Sequence, residues 1–145
     1  HDLKYGGKKQ IGVLLGERIG YELKSSRRYS CLDFIVPVPL HEEKLRQRGY
    51  NQAERIAKGL SASMGIPLCL GVLTRTCNSS SQTSKGRYDR WLNVVKAFEL
   101  ASNVLNGKAI LLVDDVVTTG ATIEACASVL KESSCKVYVI TVASA

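Results

Sequence analysis

The stretch KAILLVDDVVTTGATIEACASVLK, residues 108–131, decides how this chain is read. Residues 108–113 are an apolar run headed by one lysine, the pattern of a strand buried on both faces of a parallel sheet. Two acids follow, Asp114 and Asp115, then Val116 and Val117, then the turn Thr118-Thr119-Gly120-Ala121-Thr122. From Thr122 to Lys131, Ile123, Cys126, Ala127 and Leu130 fall on one side of a helix. Strand, glycine turn and helix in direct succession are the unit of an α/β sheet, and ligands of such sheets bind beyond the carboxyl ends of the strands.

The residue types at that turn have physical roles. A tight bend at Gly120 aims successive N–H groups at one point, and the helix that follows adds its positive end, which makes a monophosphate cradle. Thr118, Thr119 and Thr122 add hydroxyl donors around Gly120 and Ala121. Asp114 and Asp115 are expected to sit too far back to touch that phosphate, and well placed to accept hydrogen bonds from sugar hydroxyls. Together these features describe a ribose 5-phosphate site. The plainer alternative is an acidic pair that ends a strand and a threonine that caps a helix. Neither G-x-x-x-x-G-K-[ST] nor G-x-G-x-x-G occurs, which sets aside the P-loop and dinucleotide fingerprints.

Outward from this block, strands and helices alternate. Ile11, Leu14, Leu15, Ile19 and Leu23 recur at helical spacing and predict an amphipathic first helix. Residues 32–38 (LDFIVPV) predict a short buried strand ending at two prolines. Asn51 and Glu54 form a capping pair for a helix with Ala53, Ile56, Ala57, Leu60 and Met64 on one face and Gly65 as its stop. Strands are also expected at residues 68–73, 97–100 and 137–142. The economical arrangement is an α/β fold: one mainly parallel sheet flanked by helices on both faces, a single domain over residues 1–145. Residues 75–90 carry no periodicity and read as a long mobile loop, of a length that is usually functional or disordered.

Composition bounds the function. The chain has 145 residues, 45% hydrophobic and 23% charged, enough for one core without staples. No apolar run reaches the roughly 18 residues of a membrane span, and no signal peptide is visible, so a cytoplasmic protein without membrane insertion is expected. Five scattered cysteines without a C-x-x-C pair point to buried free thiols rather than disulfides or a zinc ribbon. The net charge of +7 favours polyanionic partners, phosphorylated small molecules or nucleic acid.

VDDVVTTGAT resembles the fingerprint with which type I phosphoribosyltransferases bind 5-phosphoribosyl-1-pyrophosphate (PRPP). Purine-salvage members usually carry an acid where this chain has Thr118, and often a lysine where it has Ala121, which argues against that subgroup. Residues 36–57 (VPVPLHEEKLRQRGYNQAERIA) and 75–98 (RTCNSSSQTSKGRYDRWLNVVKAF) resemble the ComF-type competence proteins, which are phosphoribosyltransferase-like. Members of that family commonly begin with a cysteine-rich zinc ribbon. The opening HDLKYGGK resembles the segment that follows it.

The resemblance implies displacement of pyrophosphate at C1 of the ribose, with Mg²⁺ held mainly through PRPP rather than by a cluster of protein ligands. Asp114 and Asp115 would orient the ribose. Pyrophosphate would lie against Pro39, Leu40, Arg46, Arg48, Asn51 and Gln52, with arginine forks gripping its oxygens. Asn51 reads equally as a helix cap, and His41 is a weak candidate for proton transfer. Within the loop, Gln82, Thr83, Arg87, Arg90 and Asn93 match the family's polar pattern, and with Lys85 they would close over PRPP. Trp91 reads as a packing residue, with a base-stacking platform as the alternative. No residue stands out as a general base, and no nucleobase hood is recognisable. Three functions are compatible with this: a phosphoribosyltransferase of unspecified acceptor, a non-catalytic PRPP- or nucleotide-binding regulator, and a competence factor that binds single-stranded DNA. Competence-machinery proteins are expected partners.

Overall fold

The computed structural model describes residues 2–76, 86, 88 and 97–145. In chain order these form α1 (Asp2–Lys24), a 3-10 turn (Arg27–Tyr29), β1 (Phe34–Pro37), α2 (Glu42–Arg48), α3 (Gln52–Met64), β2 (Leu73–Arg75), β3 (Phe98–Leu100), β4 (Ala109–Val117), α4 (Ala121–Glu132) and β5 (Lys136–Ser144). The central sheet has the order β1–β4–β5 and is parallel throughout. Its middle strand is the quoted apolar run: Ile110, Leu111, Leu112 and Val113 are all fully buried.

Period-two alternation along β4 divides two cores. Ile110 and Leu112 pack with Val36, Ala125, Cys126 and Leu130, so α4 covers one face. Leu111 and Val113 pack with Ile35, Ile56, Ala57 and Leu60, so α3 covers the other. The sheet is therefore flanked by helices on both faces, as the alternation of elements predicts. At its amino end the Asp33 carboxylate accepts the Ala109 N–H at 2.8 Å, which satisfies the first donor of β4.

Several boundaries differ from the sequence expectation. β4 does not stop at Val113 but runs to Val117, because β5 continues alongside it and pairs Asp114 with Thr141 and Val116 with Ala143. Backbone pairing outweighs the low strand propensity of two acids. Residues 68–73 do not form one strand: Leu68 makes an isolated parallel bridge to Ile35, Gly71 turns the chain at φ +72°, and Leu73–Arg75 instead pairs antiparallel with Phe98–Leu100 in a separate two-stranded sheet.

α1 buries only the later part of the face its apolar residues suggest, with Ile19 and Leu23 packed against the core that α3 covers. Ile11 and Leu14 are more than half exposed. Gly16 and Gly20 are buried instead, and with Gly12 they form a stripe along α3. The helices meet backbone to backbone. A side-chain carbon on Gly16 would collide with the Ile56 carbonyl oxygen, and one on Gly59 with the Val13 carbonyl oxygen. Among the described cysteines, Cys126 and Cys135 are buried, Cys69 is half-buried, and Cys31 is exposed, contrary to the expectation of buried thiols. No helix among the described residues is long and apolar enough to cross a membrane.

Candidate functional site

β1 and β4 are neighbours, and the helices that follow them, α3 and α4, lie on opposite faces of the sheet. Chain paths therefore diverge between their carboxyl ends, and that divergence opens a crevice at a topological switch point. Both candidate segments leave the sheet here: residues 38–52 after β1 and residues 114–122 along and beyond β4.

The turn after β4 has the geometry its residues predict. Gly120 takes the left-handed conformation at φ +80° and ψ −7° and is the N-cap of α4, without a side-chain cap bond. The Ala121 N–H donates to Thr119 Oγ1 at 3.4 Å, and the Glu124 N–H returns to the Gly120 carbonyl at 2.9 Å. The first-turn N–H groups of a helix have no intrahelical acceptor, so those of Thr122 and Ile123 head a positive helix end. Thr118 and Thr119 are exposed, and Gly120, Ala121 and Thr122 half-buried, around a recess of about 40 Å³.

Asp114 lines this same recess and Asp115 does not. Burial pushes the Asp114 carboxyl up to about 6, with the neighbouring Asp115 carboxyl also raising it; the Asp115 N–H, which donates to Asp114 Oδ1 at 2.9 Å, and the charge of Arg75 oppose that rise. Asp115 lines another cleft, between α1, the start of α3 and the end of β5. The acidic pair thus serves two adjoining spaces.

The segment after β1 is held by hydrogen bonds. His41 caps α2, its Nδ1 accepting the Glu43 N–H at 3.2 Å. Asn51 caps α3, with Oδ1 accepting the Ala53 N–H at 3.1 Å and Nδ2 donating to the Val38 carbonyl at 3.0 Å. Pro39, Leu40 and Asn51 share a cleft of about 250 Å³ with Arg75, Glu42 and Glu54. Gln52 lies instead in the cleft with Asp115, and its Oε1 accepts from Arg48 Nη1 at 2.7 Å. Arg46 is held by an exposed pair with Glu42 at 3.2 Å, a contact worth well under ~1 kcal/mol and easily given up. The six residues expected around pyrophosphate therefore divide between two clefts and an exposed helix. Gln82, Thr83, Lys85, Arg87, Arg90, Asn93 and Trp91 lie outside the described residues.

Arg75 is a site residue that sequence reasoning placed only at the edge of a loop. Its guanidinium lies 5.3 Å from the centre of the Phe98 ring, it lines the cleft with Pro39 and Asn51, and its charge reaches Asp114. Cys126 lies beneath Asp114, where burial first and the carboxylate second push its thiol up to about 12, so it stays protonated and unreactive.

A family model described as phosphoribosyl transferase domain matches residues 47–145. The chain is 32% identical over 113 residues to Competence protein F of Haemophilus influenzae, covering 77% of this chain and 49% of that protein. It is 32% identical over 133 residues to DNA utilization protein YhgH of Escherichia coli, covering 90% and 58%. Competence protein ComFC of Bacillus subtilis is 35% identical over 98 residues, covering 68% and 38%. The chain spans about half the length of the curated relatives it matches. Among solved structures, one described as the allosteric regulatory enzyme of purine biosynthesis aligns with a TM-score of 0.59 at 21% identity, over 92% of this chain and 25% of that one, a likeness of fold.

Proposed function

Because the chain belongs to the phosphoribosyl transferase domain family, among its ComF-type competence relatives, we propose that it binds PRPP at the carboxyl ends of β1 and β4 and transfers its phosphoribosyl group. One observation carries this reading: β4 delivers Asp114 and Asp115 directly into the Thr118–Thr122 turn and the head of α4, at the switch point of the sheet. The 5′-phosphate sits in the recess at Gly120, taking N–H groups of the first turn of α4 and threonine hydroxyls. The ribose hydroxyls donate to Asp114 and Asp115. Pyrophosphate lies toward β1, near Asn51 and Arg75, and Arg46 and Arg48 turn toward it from their exposed positions.

Mg²⁺, where bound, neutralises the departing pyrophosphate. Among the described residues no three His, Cys, Asp or Glu side chains cluster to hold a metal. Asp114 and Asp115 are hard oxygen donors of the kind Mg²⁺ takes, so the residues present would suit an Mg²⁺ brought in with PRPP. Titration calorimetry of PRPP with Mg²⁺ tests the reading. Saturable binding that the Asp114→Asn/Asp115→Asn variant loses is the expected result, and no binding by folded wild type overturns it.

A second reading rests on charge. Lys44, Arg46 and Arg48 are exposed on one short helix in a chain of net charge +7, and relatives are named for competence and DNA utilization. Single-stranded DNA would be gripped there without use of the acidic pair. Its mark is an affinity that falls steeply with salt and is indifferent to Asp114→Asn.

A further inference from the structure

The cleft that Asp115 lines holds about 290 Å³, close to the lower bound of roughly 300 Å³ for small-molecule sites. Its floor is apolar, from Ile11, Ile56, Val116 and Val142, and Tyr50 contributes an aromatic ring. Lys8 and Arg55 bring two positive charges against the one carboxylate, and Lys9 Nζ lies 5.6 Å from the centre of the Tyr50 ring.

We propose that this cleft, between α1 and the end of β5, is the acceptor site of the phosphoribosyl transfer, and that it takes a planar heterocycle bearing an anionic substituent. The proposal rests on the PRPP reading above and goes beyond it by naming the acceptor class. Ribose hydroxyls would occupy Asp115, leaving Lys8 and Arg55 to meet the substituent while the ring lies on the apolar floor. Neither of the two neighbouring spaces at the end of the sheet fits as well. The cleft at Arg75 carries Glu42 and Glu54, which repel an anion, and the recess of about 40 Å³ is too small for a ring.

The chemistry restricts the ring further. Among the described residues that line this cleft Asp115 is the one carboxylate, and it is engaged with the sugar, so the acceptor that suits the cleft is one that needs no proton removed. A ring nitrogen that is unprotonated at neutral pH gives its lone pair to C1. The C1–O bond breaks, and pyrophosphate leaves with that bond's electron pair. A pyridine-type nitrogen meets this requirement.

Nicotinate and nicotinamide are matched probes, equal in shape and different in charge. Each is titrated into the protein with Mg²⁺ and PRPP, with ring binding followed by ligand-detected NMR and pyrophosphate release assayed in parallel. Nicotinate is expected to bind at least tenfold more tightly than nicotinamide, and Arg55→Gln to remove that difference. Val142→Trp, which fills the cleft without changing charge, is expected to abolish binding of both rings while PRPP affinity changes less than twofold. Equal binding of the two rings, binding of neither, or ring binding that survives Val142→Trp overturns the acceptor site while PRPP binding still stands. If folded wild type does not bind PRPP, both readings fall.

Discussion

Asn51 and Val38 are joined across the mouth of the site: the Asn51 Nδ2 donates to the Val38 carbonyl at 3.0 Å while its Oδ1 holds the Ala53 N–H at the head of α3. One amide thus ties the exit of β1 to the helix that covers the sheet. Asn51→Ala loses a cap and a cross-link and should cost about 2 kcal/mol in urea unfolding. Asn51→Asp keeps the cap acceptor, loses the donor, and should cost about 1 kcal/mol.

Asp114 destabilises the fold at neutral pH. Its folded-state value near 6 exceeds the ordinary 3.8, so the native state binds more protons between those values and stability falls as pH rises through them. The full cost is present above about pH 6 and relieved below about pH 4. Asp114→Asn should raise stability by about 1 kcal/mol at pH 7.5, after discount for the partial exposure of the carboxyl, or about 3 °C in Tm, and by nothing at pH 3.5. The same variant should lose PRPP binding. Thermal scans at the two pH values check it.

Arg75→Met removes a positive charge that holds the Asp114 carboxyl down. The Asp114 carboxyl carbon, followed by NMR, should then titrate above its wild-type midpoint.

Gly120 has open space where a Cβ would go but a φ of +80°. Gly120→Ala should cost about 1–2 kcal/mol from backbone strain alone. PRPP affinity should drop tenfold or more, because relief of that strain turns the N–H groups away from the recess.

Gly16→Ala sets a methyl group against the Ile56 backbone and should cost about 3 kcal/mol or more in denaturant. Gly6→Ala, on the same helix with nothing within 4 Å, should be neutral or stabilising by about 0.5–1 kcal/mol.

The contrast between those glycines also marks what could be read without coordinates. The block from Ala109 to Leu130 was legible because a buried parallel strand and an amphipathic helix have different apolar periods and Gly120 punctuates them. The face of α1 was legible only at Ile19 and Leu23, because reading for apolar bulk also selects Ile11 and Leu14, whereas the closest contact with α3 is made where bulk is missing. Gly12, Gly16 and Gly20, spaced by four, were the available signal. The extension of β4 through Asp114 depends on β5 lying beside it, a non-local cause. The division of the acidic pair between two spaces, and the place of Arg75 beside Asp114, are likewise products of tertiary structure that no local spacing encodes.

The glycine stripe has a consequence for selectivity. α1 forms one wall of the Asp115 cleft, and its distance from α3 is fixed by main chain resting on main chain. Side chains change rotamer to admit a larger guest, but two helices in contact at their backbones have nothing left to rearrange. The gap is a gauge block, cut to one width by the methyl groups absent at Gly16 and Gly59, and on the acceptor reading a guest there should be sorted by its thickness as well as its charge.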